Sequence, residues 1–191
     1  MKKLPLLLAC ITLSTTAIAE NLAPIGDMEV AGTNKLPEGF RYQNPYWLNG
    51  FNAKVTTENE DDNKFLRVDM PLAEHLIAAS FELAIPEGAT KLRISWKVRA
   101  TITDISENTD ESGRGVCMVA SWYAEPEGGS DTERGYKHGI IDQIKTATTG
   151  WEDREVTMEV PPGKRFLNIK LGTKGTAAIA DFDDLVIEPE V

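Results

Sequence analysis

One stretch near the end of the chain limits the fold more than any other. It is Ile179-Ala180-Asp181-Phe182-Asp183-Asp184-Leu185-Val186-Ile187, three carboxylates set among apolar residues. A strand whose inward positions carry Ile, Phe, Leu and Val belongs in a core. Three acids on such a strand repel one another unless a cation or hydrogen-bond donors lie between them. The stretch is therefore expected inside a sheet, with partners for its acids. A second acidic group, Gly26-Asp27-Met28-Glu29, lies near the other end of the chain.

The rest of the chain reads as short strands separated by Pro/Gly turns, with no sustained 3.6-residue apolar period. Leu92, Ile94, Trp96 and Val98 alternate with Arg93, Ser95, Lys97 and Arg99. Phe65 to Val68, Ile77 to Ile85, Glu155 to Val160 and Phe166 to Leu171 are further strands. Val116 to Tyr123 is apolar on both faces, as an interior strand should be. Leu72 to Leu76 is short enough for one helical turn. Two long polar connections, Thr103 to Arg114 and Glu125 to Lys137, separate strands. This pattern predicts an all-β fold, a two-sheet antiparallel β-sandwich of jelly-roll type.

The 191 residues suffice for one domain with a real core. Residues 1–19 read as a secretory signal: Lys2 and Lys3, an apolar middle, and Ala17-Ile18-Ala19 before Glu20. The expected product is an exported single domain, 20–191, periplasmic or extracellular. Leu7-Leu8-Ala9-Cys10 also has the shape of a lipid-attachment box, the competing expectation. Removing the signal takes the formal charge from -10 to -12. Such an acidic surface disfavours nucleic acid and anionic lipid, and suits neutral ligands or divalent cations. It also leaves Cys117 as a lone thiol, expected to be a small buried side chain.

Four motifs in order carry a family resemblance. Asn21-Leu22 with Gly26-Asp27-Met28-Glu29 and Leu36-Pro37-Glu38-Gly39-Phe40 resembles the opening of CenC-type carbohydrate-binding modules, broadly families 4, 9 and 22. Ser95-Trp96-Lys97-Val98-Arg99-Ala100, Trp151 with Val160-Pro161-Pro162-Gly163, and Phe182-Asp183-Asp184-Leu185 resemble later motifs of that group. Phe40 and Ile25 depart from the usual Trp and Asn. The resemblance implies a jelly roll of nine or ten strands. It also implies a structural Ca²⁺ between the two ends of the chain, held by Asp27, Glu29, Asp183 and Asp184, with Glu29 and Asp184 foremost. The chemistry is consistent, since calcium takes six to eight oxygens and would neutralise the clustered acids. The alternative is that these acids are solvated strand ends.

A poly- or oligosaccharide partner needs an aromatic platform flanked by polar groups. The aromatic candidates are Tyr42, Tyr46, Trp47, Phe51, Trp96, Trp122, Tyr123 and Tyr136. Alternation assigns Trp96 and Trp122 to the core and puts Tyr123 on the other side of its strand. Tyr42, Tyr46 and Trp47, close to Asn44, Asn49 and Asn52, form the most sugar-like stretch, although loop aromatics also cap cores. Arg93, Lys97 and Arg99 would suit an acidic sugar on a concave face and would be a solvated stripe on a convex one. Glu82 could pair with one of them. Two histidines without metal-ligand spacing and no nucleophile elbow argue against catalysis. Tyr136 to Gln143 only faintly resembles an alginate-lyase motif. The readings are thus a non-catalytic carbohydrate-binding module, a structural or adhesion sandwich without sugar binding, or a small polysaccharide-degrading enzyme.

Overall fold

A computed structural model of the protein describes residues 21–23, 26–30, 32, 35–43, 52–73, 76–106, 114–126 and 137–191. Ten strands lie in them: β1 (Arg41–Tyr42), β2 (Lys54–Glu60), β3 (Asn63–Met70), β4 (Ile77–Ala84), β5 (Lys91–Ile105), β6 (Gly115–Tyr123), β7 (Lys137–Ile144), β8 (Glu152–Glu159), β9 (Phe166–Lys174) and β10 (Thr176–Glu190). They form two five-stranded sheets. Sheet I runs β1-β4-β9-β6-β7 and sheet II runs β2-β3-β10-β5-β8. Every pairing is antiparallel. Among the described residues there is no helix, and none is long and apolar enough to cross a membrane.

Period-two alternation builds the core. From sheet II, Leu66 and Val68 (β3), Leu92, Ile94, Trp96 and Val98 (β5), and Ala180, Phe182 and Ile187 (β10) point inward. They meet Phe81 (β4), Met118 and Ala120 (β6), and Leu167, Ile169 and Leu171 (β9) from sheet I. Each large side chain so buried stabilises the fold by about 1.5–3 kcal/mol. The acidic stretch lies in β10, between β3 and β5 at the centre of sheet II. Trp96 and Trp122 are core residues. Cys117 is buried and free, and burial pushes its thiol up to about 12, so it is not a thiolate at neutral pH.

The two ends of the described chain lie side by side. Leu22 N–H donates to the Ile187 carbonyl (2.8 Å), and Leu185 N–H donates to the Gly26 carbonyl (2.7 Å). The Asn21 side chain completes the seam: its Oδ1 accepts from Ile187 N–H (2.8 Å) and its Nδ2 donates to the Leu185 carbonyl (3.3 Å). A Cβ on residue 26 would stand 1.7 Å from the Leu185 oxygen, so only glycine permits this approach.

Several boundaries differ from the sequence expectation. β5 continues to Ile105, so the first long connection is shorter than it reads, while the second, between β6 and β7, keeps its length and ends where β7 begins at Lys137. β2, with the sequence Lys-Val-Thr-Thr-Glu-Asn-Glu, carries almost no apolar signal because it is an edge strand. The turn suggested at Leu72 to Leu76 falls partly outside the described residues.

Candidate functional site

The outer faces of the two sheets differ sharply. On sheet II the charged residues of β5 meet partners on β10. Arg93 pairs with Glu188. Lys97 Nζ lies 2.7 Å from Asp184 Oδ2, and this contact raises the ammonium pKa. Arg99 contacts Glu60 at 2.7 Å and Asp181 at 2.9 Å. Asp181, whose side chain is 3% exposed, also accepts Arg67 Nε at 2.7 Å and Nη2 at 2.8 Å. The Arg99 guanidinium lies 5.2 Å from the Phe65 ring centre and 4.7 Å from that of Trp151. Those two rings meet edge to face at 5.5 Å. Arg93, Lys97 and Arg99 therefore form a paired stripe. Glu82 cannot join it, contrary to expectation, because β4 and β5 follow one another in sequence but belong to different sheets.

The four acids proposed as calcium ligands fall into separate groups. Asp27 Oδ1 accepts Glu29 N–H (3.2 Å). Glu29 Oε1 accepts Lys64 N–H (2.9 Å), and the Lys64 ammonium donates to the Glu29 carbonyl (2.7 Å). Asp183 accepts from Asn63 Nδ2 and from Asp184 N–H, each at 2.8 Å. Burial nonetheless pushes the Asp183 carboxyl above its ordinary value, against the pull of those two donors. Asp184 stands in a bulge of β10 at φ 48° and faces Lys97. Among the described residues, no three carboxylate, His or Cys side chains converge as a metal cage. Glu29 and Asp183 bond to the consecutive residues Lys64 and Asn63, and their oxygens are hard ligands of the type calcium takes.

A cavity of about 780 Å³ lies beside this seam, with Asn21, Asp27, Lys97, Arg154 and Asp184 in its lining. Most of its polar groups are already engaged: Asn21 with β10, Lys97 with Asp184, and Arg154 with Asp142 at 2.6 Å. Among the described residues that line it, the one aromatic is Trp96, which is 4% exposed and offers no platform.

Sheet I presents something different. Its outward positions include Ser80 and Glu82 (β4), Asn168 and Lys170 (β9), and Ser121 and Tyr123 (β6), opposite the core residues of the same strands. Register aligns them in two rows. Arg41, Ser80 and Lys170 are neighbours across β1, β4 and β9. Glu82, Asn168 and Ser121 are neighbours across β4, β9 and β6. The Ser80 and Ser121 hydroxyls and the Asn168 carboxamide oxygen are buried without any hydrogen-bond partner. Such groups are rare in folded proteins, and each costs about 1–3 kcal/mol. A cleft of about 240 Å³ opens over this region, lined by Arg41, Tyr42, Gln43, Glu82, Tyr123, Asn168 and Lys170.

Two of the expected ligand residues, Tyr42 and Tyr123, border this cleft on sheet I, but Tyr42 pairs with Ala79 and packs against the core, so Tyr123 alone of the two is on the outward side. Arg93, Lys97 and Arg99 are on sheet II, and Tyr46 and Trp47 lie outside the described residues. Sequence reasoning missed Arg41, Asn168 and Lys170. The signal for two of them was present in Phe166 to Leu171, where Asn168 and Lys170 alternate with Leu167, Ile169 and Leu171.

No protein-family profile matches the sequence, and no curated protein does either. Solved structures do resemble it. The CBM22-2 xylan-binding domain from Paenibacillus barcinonensis superposes with TM-score 0.54 at 12% identity, over 86% of this chain and 98% of that one. A structure of a family 4 carbohydrate-binding module (CBM4) gives 0.50 at 13%, over 87% and 98%. The enzymatically active domain of tailspike protein 4 from bacteriophage CBA120 gives 0.55 at 10%, over 89% of this chain. This chain spans only 21% of that tailspike. The fold is the jelly roll of carbohydrate-binding modules.

Proposed function

We propose that this chain is an exported saccharide-binding module that binds without catalysis, and that the cleft on sheet I is its site. The observation that carries this reading is the Asn168 carboxamide oxygen. Asn168 lines the cleft, and this oxygen is buried and lacks a donor. A sugar hydroxyl supplies the missing hydrogen bond, and Tyr123, on the outward side of β6, borders the cleft. Binding rather than hydrolysis is favoured because Glu82 is the one carboxylate among the described cleft residues, and glycoside hydrolysis ordinarily uses two facing carboxyl groups. The jelly-roll neighbours described as xylan-binding point the same way. A calcium ion at the seam belongs to the same reading. Glu29 and Asp183 would hold it, its charge would neutralise those carboxylates, and Lys64 would give way.

The test is an array of plant and bacterial polysaccharides probed with the wild-type protein and with Asn168→Ala. Wild-type binding that weakens about tenfold in the variant supports the site, the size of effect expected for one desolvated hydrogen bond. Wild-type binding to no glycan would overturn the reading. New reducing ends or unsaturated products after incubation would replace binding with catalysis.

A further inference from the structure

We propose that the sheet I cleft takes a single sugar acid, its carboxylate held by Arg41 and Lys170. The proposal rests on the saccharide reading above and narrows it to a ligand class. Register carries the argument. Arg41 pairs with Ser80 on β4, and Ser80 pairs with Lys170 on β9. Two antiparallel strand spacings separate the cationic residues, about 9.5 Å between backbones. Both residues line the cleft. Two long cationic side chains at that separation reach one carboxylate from opposite sides, Arg41 with its planar fork and Lys170 as a point charge.

The adjacent row supplies the rest of a sugar-acid site. Glu82 and Asn168 are register partners. Asn168 offers its buried, partnerless oxygen to one ring hydroxyl, and Glu82 is an acceptor for another. Ser80, between the two cations, is itself fully buried with a partnerless hydroxyl. The site therefore combines a half for a carboxylate with a half for hydroxyls, and one hexuronic acid ring carries both.

Charge and size narrow the class further. The whole chain holds 30 acids against 20 Lys and Arg. Among the described residues, the cleft lining carries two cations, Arg41 and Lys170, and one carboxylate, Glu82. A site for a neutral glycan has no need of that pair of cations in so acidic a protein. At about 240 Å³ the cleft is smaller than the roughly 300–1,000 Å³ that enclose drug-sized ligands. It fits one ring, so the ligand is met at a chain end or as a branch rather than along a main chain.

The probes are oligosaccharides ending in glucuronic or galacturonic acid, their carboxyl-reduced counterparts, and neutral xylo- and cello-oligosaccharides. Affinities are measured by calorimetry at low and at physiological salt. An acid-terminated probe should bind at least about tenfold more tightly than its reduced form, with the preference shrinking as salt rises. Lys170→Gln and Arg41→Gln should each remove most of that preference, with unchanged melting temperatures showing that both variants fold. Equal binding of acid and reduced probes overturns the sugar-acid proposal and leaves the saccharide reading standing. Unchanged preference in both folded variants also overturns it. Failure of every probe to bind, with the polysaccharide array negative as well, removes both readings together.

Discussion

The outer face of sheet II and the outer face of sheet I are built from similar materials and treated in opposite ways. Each is a polar stripe on an antiparallel sheet. On sheet II, Asp181 accepts three guanidinium N–H groups from Arg67 and Arg99. Lys97 meets Asp184 and Arg93 meets Glu188. On sheet I, Ser80, Ser121 and Asn168 are buried with polar atoms unpartnered. A face whose hydrogen bonds are complete serves the fold. A face that keeps buried polar atoms unsatisfied has lost stability, and a ligand is the simplest return for that loss.

Breaking the sheet II network should have the largest effect. Asp181→Ala leaves Arg67 and Arg99 without their shared carboxylate at the centre of the sheet. The expected cost is about 3 kcal/mol, near the low end for a broken buried pair because both arginines are partly exposed. In a domain of this size that lowers the melting temperature by roughly 6–12 °C. Saccharide affinity should stay unchanged, since sheet I is not touched. A melting curve within 2 °C of wild type would show that the network is ornamental.

Chelation should have a smaller effect. If calcium bridges Glu29 and Asp183, excess EDTA should lower the melting temperature by several degrees. Asp183→Asn should abolish the response. An unchanged melt in EDTA would mean that Lys64 and Asn63 alone satisfy those acids.

Removing a partnerless hydroxyl from sheet I should act in the reverse direction and least. Ser121→Ala should raise stability by about 1 kcal/mol in urea unfolding, because it deletes a buried polar atom that has no partner. Destabilisation of that size would place Ser121 with the structural polar groups and blur the contrast between the two faces.

The legible part of the fold was the part written in period two. Leu92, Ile94, Trp96 and Val98 announced β5 and its inward face, and Trp122 against Tyr123 announced which ring points out. β2 was not legible, because an edge strand with one solvated face needs little apolar sequence. The candidate site was half legible. Tyr42 and Tyr123 were nominated from sequence, yet Arg41, Asn168 and Lys170 emerge only when β1, β4 and β9 lie side by side.

Sequence alone determined that this chain is a β-sandwich and which residues face inward, because local alternation and turn residues specify both. That Asp27 and Glu29 should lie near Asp183 and Asp184 was implied by the family resemblance. Tertiary structure decided which acid meets which cation and which polar groups go unpaired. Pairing depends on register between strands far apart in sequence: Asp181 finds Arg67 and Arg99 across 114 and 82 residues. Strand order likewise sends the neighbours β4 and β5 to different sheets, and with them Glu82 and the stripe it was expected to join.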